Sequence, residues 1–205
     1  MKKCYIVGAG ELFGSFSPNE DDLVIAADGG YDHLLSLGIT PNVIIGDLDS
    51  VRADLPEGIE VLRHKVEKDE TDAHLAYLEG ARRGYTEFEL FGGTGGREDH
   101  TFANYSLLLY AKNEGNSIKL VSENMDIFVI KNEKCELFGT EGATFSAFAI
   151  GGVCRGVTID GLYYTAWDAT LTPEFPLAVS NKFIGKTATV EVRQGALLIM
   201  VERKN

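Results

Sequence analysis

The sequence predicts a mixed α/β chain: a mostly parallel-sheet α/β domain over residues 1–123, then an all-β sandwich over residues 124–205. Two observations carry this. Up to Ser122, short apolar runs alternate with helical stretches, the pattern of βαβ units. Beyond that point the segments are β-rich, separated by glycine, and no long helical period survives. With 205 residues and a hydrophobic fraction of 44%, the chain is long and apolar enough to bury a real core.

Six strand-like runs precede the change of texture: Tyr5–Val7, Leu23–Ala27, Val43–Ile45, Ile59–Leu62, Phe88–Phe91 and Ile118–Val121. Helical patterns cover Tyr31–Leu37, Asp69–Arg83 and Asp99–Asn113. The second part offers strands at Ile127–Ile130, Thr144–Ile150, Val153–Ile159, Ala188–Val192 and Leu197–Val201. No low-complexity linker separates the two parts, so a short, packed join is expected. Tyr163, Tyr164 and Trp167 sit among small residues of the second part, where aromatics are more often core than binding surface.

The net charge of −12 argues against non-specific nucleic-acid binding and against an anionic membrane surface. It does not exclude a nucleotide, because a metal or local cation can offset the field at one site. Cys4, Cys135 and Cys154 form no CxxC pair, which fits a reducing compartment. The apolar run after Lys2-Lys3 is too brief for a membrane span or a signal segment, so a cytoplasmic protein is expected.

Three stretches carry chemistry. In Ile44-Ile45-Gly46-Asp47-Leu48-Asp49-Ser50, an apolar strand ends in glycine before two aspartates flanking a leucine. Residues two apart in extended chain point the same way, so Asp47 and Asp49 can aim two carboxylates at one point past the strand end. Two hard oxygen ligands there suit magnesium, which takes one or two carboxylates plus substrate phosphates. A turn or helix cap is the plainer reading of either aspartate alone. Lys68-Asp69-Glu70-Thr71-Asp72 opens a helix with Asp69 and Asp72 on one face. Acids in a first turn are commonly caps, but Asp72 could join the aspartate pair, and Lys68 offers a charge for phosphate. Finally, Phe91 runs into Gly92-Gly93-Thr94-Gly95-Gly96-Arg97-Glu98-Asp99-His100. Glycine lets backbone N–H groups approach phosphate, and the Arg97 fork can hold two oxygens. This is not a P-loop, because no GK[ST] follows.

Weaker signals point elsewhere. Gly8-Ala9-Gly10 after the first strand, with Asp28 ending the second, is a fragment of a Rossmann-like dinucleotide fingerprint. The four histidines lack HExxH spacing, and His33 and His74 read as ordinary helix residues.

Taken in order, Ala27-Asp28-Gly29-Gly30, Gly46–Ser50, Asp69–Asp72 and Gly92–His100 resemble the thiamine pyrophosphokinase family. Gly161-Leu162 and Ser180-Asn181 resemble that family's second half. The resemblance implies transfer of the pyrophosphoryl group of ATP to the hydroxyl of thiamine, giving thiamine diphosphate and AMP. It implies Asp47, Asp49 and Asp72 as magnesium ligands. Asp28, Lys68, Arg97, Asp99, His100 and Asn104 would form the ATP site, with Asp72, Arg97 and Asp99 catalytic. Asp99 is the candidate base. Tyr164, Ser180 and Asn181 would contact thiamine across a homodimer interface. Tyr164 stands where tryptophan is common, and Lys182 where an acid is frequent. Other readings stay open at this point: a pyrophosphokinase acting on another alcohol such as a hydroxymethylpterin, an NAD-dependent oxidoreductase resting on Gly8-Ala9-Gly10, and a non-catalytic nucleotide sensor.

Overall fold

A computed structural model describes residues 2–48, 51–54, 57–64 and 69–203. The fold is mixed α/β, rich in strand, with few helices. The chain divides into two compact units: residues 1–107 with 115–123, and residues 108–114 with 124–205.

The first unit holds strands β1 (Cys4–Val7), β2 (Leu23–Ala27), β3 (Val43–Gly46), β4 (Glu60–Arg63), β5 (Glu87–Phe91) and β6 (Ser117–Val121). All pair in parallel, in the order β6-β5-β1-β2-β3-β4. Strands β1, β2 and β3 are buried along their whole length, which is why they read as unbroken apolar runs. Helix α1 (Gly30–Ser36) follows β2, α2 (Asp72–Arg82) follows β4, and α3 (Glu98–Asn113) follows β5. The last part of α3, from Leu108, belongs to the second unit.

Two features of this sheet position the site. The strand order reverses at β1, whose neighbours β2 and β5 lead to opposite edges; such a reversal opens a crevice beyond the strand ends. No helix follows β1 among the described residues. The chain there returns through a loop whose Phe16 stacks on Tyr5 at 4.8 Å and on Phe91 at 4.6 Å, fixing it to the core.

The helix expected from Asp69 starts three residues later. Thr71 is the N-cap, in extended conformation, and its hydroxyl accepts the N–H of His74 at 3.2 Å. Asp69 and Asp72 therefore do not share a helix face.

The second unit is antiparallel. It contains β7 (Met125–Lys131), β8 (Lys134–Phe138), β9 (Thr144–Asp160), β10 (Ala166–Leu171), β11 (Ala178–Lys182) and β12 (Thr187–Glu202). The long β9 and β12 pair from Thr189↔Asp160 to Val201↔Phe145, with a bulge between Gln194 and Ala196. On the far side of β12, β8 pairs one half and β7 the other; on the far side of β9, β10 and β11 do the same. Two limbs thus share two strands, and side chains of both, including Phe145, Val157, Val190 and Ile199, build one core. Each long strand had read as two, because Gly151-Gly152 and Gly195 interrupt the apolar pattern without ending the ladder. Tyr163, Tyr164 and Trp167 are exposed, contrary to the core placement that their neighbours suggested.

Candidate active site

Beyond the ends of β1, β2, β3 and β5 lies a cleft of about 680 Å³. Its walls are Gly8–Gly10, Ala27-Asp28, Asp47, Asp69–Ala73, Gly92–Thr94, Gly96-Arg97 and the first turns of α3 at His100, Thr101 and Asn104. The stretches singled out in the sequence converge here, including the Gly8-Ala9-Gly10 fragment that alone suggested little.

The floor is made of two glycine loops lying backbone to backbone. Gly8 N–H donates to Phe91 O at 2.8 Å, Gly10 N–H to Gly92 O at 2.9 Å and Glu11 N–H to Thr94 O at 2.8 Å. Side chains would hold the loops apart: a Cβ on Gly8 would lie 2.8 Å from Gly92 O, and one on Gly10 2.5 Å from Thr94 O. Asn104, buried on α3, donates its amide to Gly93 O at 2.8 Å, so it shapes the loop as well as lining the cleft.

The aspartates gather around Gly46. Its φ of +149° is open mainly to glycine, and a Cβ there would sit 3.1 Å from Asp28 Cβ and 3.3 Å from Asp72 Oδ1. Asp28 itself is left-handed at φ +50°, and its N–H donates to Ile45 O at 2.7 Å. Leu48 adopts φ +67°, a sparsely populated conformation for a bulky residue. Its side chain packs on the core cluster of Val7, Ala26 and Ile44. The extended alternation assumed for Asp47 and Asp49 therefore fails at Leu48. Asp49, like Lys68, lies outside the described residues. No group of three or more His, Cys, Asp or Glu close enough to hold a metal occurs among the described residues.

Arg97 and Asp99 pair with each other. The guanidinium Nε and Nη2 reach the two Asp99 oxygens at 3.1 and 2.6 Å, and the pair is exposed. The Arg97 hydrogen bonds hold the Asp99 carboxyl below the usual carboxylate range. Burial pushes His74, at the start of α2, below the ordinary histidine range, against the opposing pull of Glu70.

The sequence profile of the thiamin pyrophosphokinase catalytic domain matches residues 17–120, just over half of the chain. The chain belongs to the thiamin pyrophosphokinase family. The profile of that family's vitamin B1 binding domain matches residues 126–197. The thiamine pyrophosphokinase of Bacillus subtilis (strain 168) is 27% identical over 188 residues, covering 89% of this chain and 88% of that protein. The crystal structure of a thiamine pyrophosphokinase from Bacillus subtilis superposes with a TM-score of 0.87 at 23% identity, covering 100% of both chains. That of the Geobacillus thermodenitrificans thiamin pyrophosphokinase gives 0.85 at 25%, covering 99% of this chain and 98% of the other.

In the stretch matched to the family's B1-binding domain, Tyr164 is exposed and meets Tyr163 edge to face at 4.9 Å. Asn181 is buried, and both ends of its amide are occupied. Its Oδ1 accepts Tyr164 N–H at 2.9 Å, and its Nδ2 donates to Tyr164 O at 2.7 Å. Asn181 therefore holds Tyr164 as a neighbouring strand would. Ser180, at φ +60° within a bulge of β11, donates its N–H to Ser146 Oγ at 3.1 Å. Such a conformation is sparsely populated for a residue other than glycine.

Sequence reasoning missed Asp32, His33 and Thr71. His33 and Asp32 bond backbone groups 20 to 23 residues away, which leaves no local signal. Thr71 was legible as an N-cap, but the acids before it read as helix.

Proposed function

We propose that this family member uses the cleft of its first unit to bind ATP and transfer the pyrophosphoryl group to thiamine. The observation that supports this reading is the convergence of the family's motif stretches on one cleft at the reversal of strand order. Within the walls, Asp28, Asp47, Asp69, Glu70 and Asp72 face a single arginine among the described residues, Arg97. So acidic a cleft repels a bare polyphosphate and needs a divalent cation. Hard carboxylate donors brought together at Gly46 fit magnesium, with Asp47 and Asp72 as its protein ligands and Asp49 as a third. Bound there, the ion would neutralise phosphate charge.

The remaining roles follow from the chain's own groups. The glycine loops offer close backbone approach to phosphates, and Asn104 keeps one of them in shape. Lys68 and His100 add cationic or donor groups to the phosphate side. Arg97 exchanges Asp99 for phosphate oxygens and stabilises the charge of the moving group. The thiamine hydroxyl oxygen bonds to the β-phosphorus as the bridge to the α-phosphate breaks, AMP leaves, and one proton is released. Asp99, its basicity lowered by Arg97, serves better to orient that arginine than as the base.

For the second unit we propose a sandwich-like domain whose exposed Tyr164, positioned by Asn181, stacks on thiamine while Ser180 bonds it. Its exposed apolar residues, among them Trp167, Phe175, Leu177 and Ile184, support a homodimer. We place the enzyme in the cytoplasm because its three cysteines form no CxxC pair, which fits a reducing compartment.

Incubation with ATP, magnesium and thiamine, followed by mass spectrometry, should yield thiamine diphosphate and AMP. AMP formation only with a hydroxymethylpterin would reassign the acceptor, and ATP binding without AMP would remove catalysis. Mixing Asp47→Asn chains with Tyr164→Ala chains should restore activity if subunits share sites.

A further inference from the structure

Two consecutive residues of α1 bond distant backbone: one reaches a glycine loop that lines the cleft, the other a segment a few residues beyond Asp47. His33 Nε2 lies 2.7 Å from the carbonyl oxygen of Gly10. A carbonyl can only accept, so the imidazole carries a proton on Nε2 and donates it. The preceding residue uses both its oxygens: Asp32 Oδ1 accepts the N–H of Ala53 and Oδ2 that of Arg52, each at 3.2 Å.

The two targets have different duties. Gly10 sits in the loop laid against Gly92–Thr94, the phosphate side of the cleft. Arg52 and Ala53 follow closely on Asp47 and Leu48, the proposed metal side. The helix joining them is anchored below. Tyr31 and Leu34 are buried, Tyr31 N–H donates to Asp28 O at 3.1 Å, and Gly30 approaches the Val7 carbonyl so closely that any Cβ would collide with it. A seven-residue helix has little stability of its own, so this anchoring fixes where its side chains reach.

We propose that His33 and Asp32 are positioning residues for the reaction. His33 sets the glycine loop that meets the nucleotide phosphates, and Asp32 sets the segment that carries Asp47. Neither touches substrate. The inference rests on the cleft's being the nucleotide site, and it makes α1 a brace between the two sides. Positioning matters steeply, since a misplacement of ~1 Å can cost on the order of a hundredfold in rate.

The test compares four variants of the full chain by ATP calorimetry with magnesium, by steady-state kinetics and by thermal unfolding. His33→Phe removes the donor and keeps a ring; His33→Gln keeps an N–H donor. Asp32→Ala removes both acceptors; Asp32→Asn keeps one. His33→Phe should weaken ATP binding about tenfold, with the thiamine KM within about twofold, and His33→Gln should recover most of the affinity. Asp32→Ala should raise the magnesium concentration for half-maximal rate several-fold, with a smaller effect on ATP affinity, and Asp32→Asn should lie between. Should His33→Phe not fold, His33→Ala is read by the same criteria. Unchanged ATP affinity in His33→Phe, or equal losses in Phe and Gln variants, would overturn the inference while leaving the cleft assignment standing. A wild-type protein that binds no ATP would overturn both.

Discussion

Gly46→Ala adds one carbon at the point where β3 ends and the aspartates meet. The φ of +149° is one that an L side chain rarely adopts, which costs about 1–3 kcal/mol. The new Cβ would stand 3.1 Å from Asp28 Cβ, 3.2 Å from Asp28 Cα and 3.3 Å from Asp72 Oδ1. Relieving these contacts adds about 1 kcal/mol, because one neighbour is backbone and cannot swing away. A total of about 2–4 kcal/mol corresponds to a fall of roughly 4–16 °C in the melting temperature of a chain of this length. The catalytic effect should be larger than stability alone requires. Asp28 and Asp72 must move by a few tenths of an ångström, and kcat should drop about 10- to 100-fold at a temperature where the protein is fully folded. Gly38→Ala is the control: φ is +68°, nothing lies within 4 Å of its Cβ, and only a backbone cost of about 1–2 kcal/mol is expected, with normal turnover. AMP release at saturating substrates, measured beside circular-dichroism melts of both variants, decides the matter. A Gly46→Ala enzyme with wild-type kcat, or one no more impaired than Gly38→Ala, would refute the placement of Asp28 and Asp72 around this glycine.

Other perturbations probe separate links. Arg97→Lys keeps the charge and loses the planar fork now occupied by Asp99, so kcat should fall about tenfold or more with thiamine KM little changed; a defect confined to thiamine KM would place Arg97 elsewhere. Thr71→Ala removes the cap that accepts His74 N–H and should destabilise by about 1 kcal/mol, read from urea midpoints, whereas Thr71→Ser should not. Glu79 is held down to about 2, first by its hydrogen bonds with Arg82 and also by those with Arg83. A depressed acid stabilises fully above its unfolded value of about 4.5 and loses that contribution as pH falls toward 2. With Arg82 largely exposed, Glu79→Gln should cost about 1–2 kcal/mol at pH 7 and nearly nothing at pH 2. A cost that does not shrink in acid would mean that packing, not charge, is lost.

What could be read from the sequence depended on how locally each feature is encoded. Strands β1, β2 and β3 are buried on both faces, and five consecutive apolar residues such as Leu23–Ala27 have no other common explanation. Strands β8, β10 and β11 were missed because about half of each is exposed and no apolar run marks them. Short-range motifs of glycine and aspartate revealed most of the cleft, since close backbone approach restricts which residues fit where its loops meet. The geometry inside the motifs was less accessible. Alternation assumed extended backbone from Asp47 onward, but Leu48 turns left-handed and packs on the core. Asn104 and Asn181 drew notice as ligand contacts, yet each spends amide groups on a backbone partner 11 or 17 residues away.

The shared strands of the second unit bear on how it comes to exist. Thr144 through Asp160 finds its central partners only in Thr187 through Glu202, so each ladder rung closes a loop of some tens of residues. A nascent chain that has emerged only as far as β11 offers β9 partners, β10 and β11, along one side alone and leaves the other side of its hydrogen-bonding groups open. Synthesis of β12 then completes both limbs together. Folding of this unit should be slow and all-or-none, with little protection of β9 amides in truncated chains. Until β12 arrives, β9 is an exposed edge with apolar residues at alternate positions, the moment at which the polypeptide is most open to pairing with a neighbouring copy of itself.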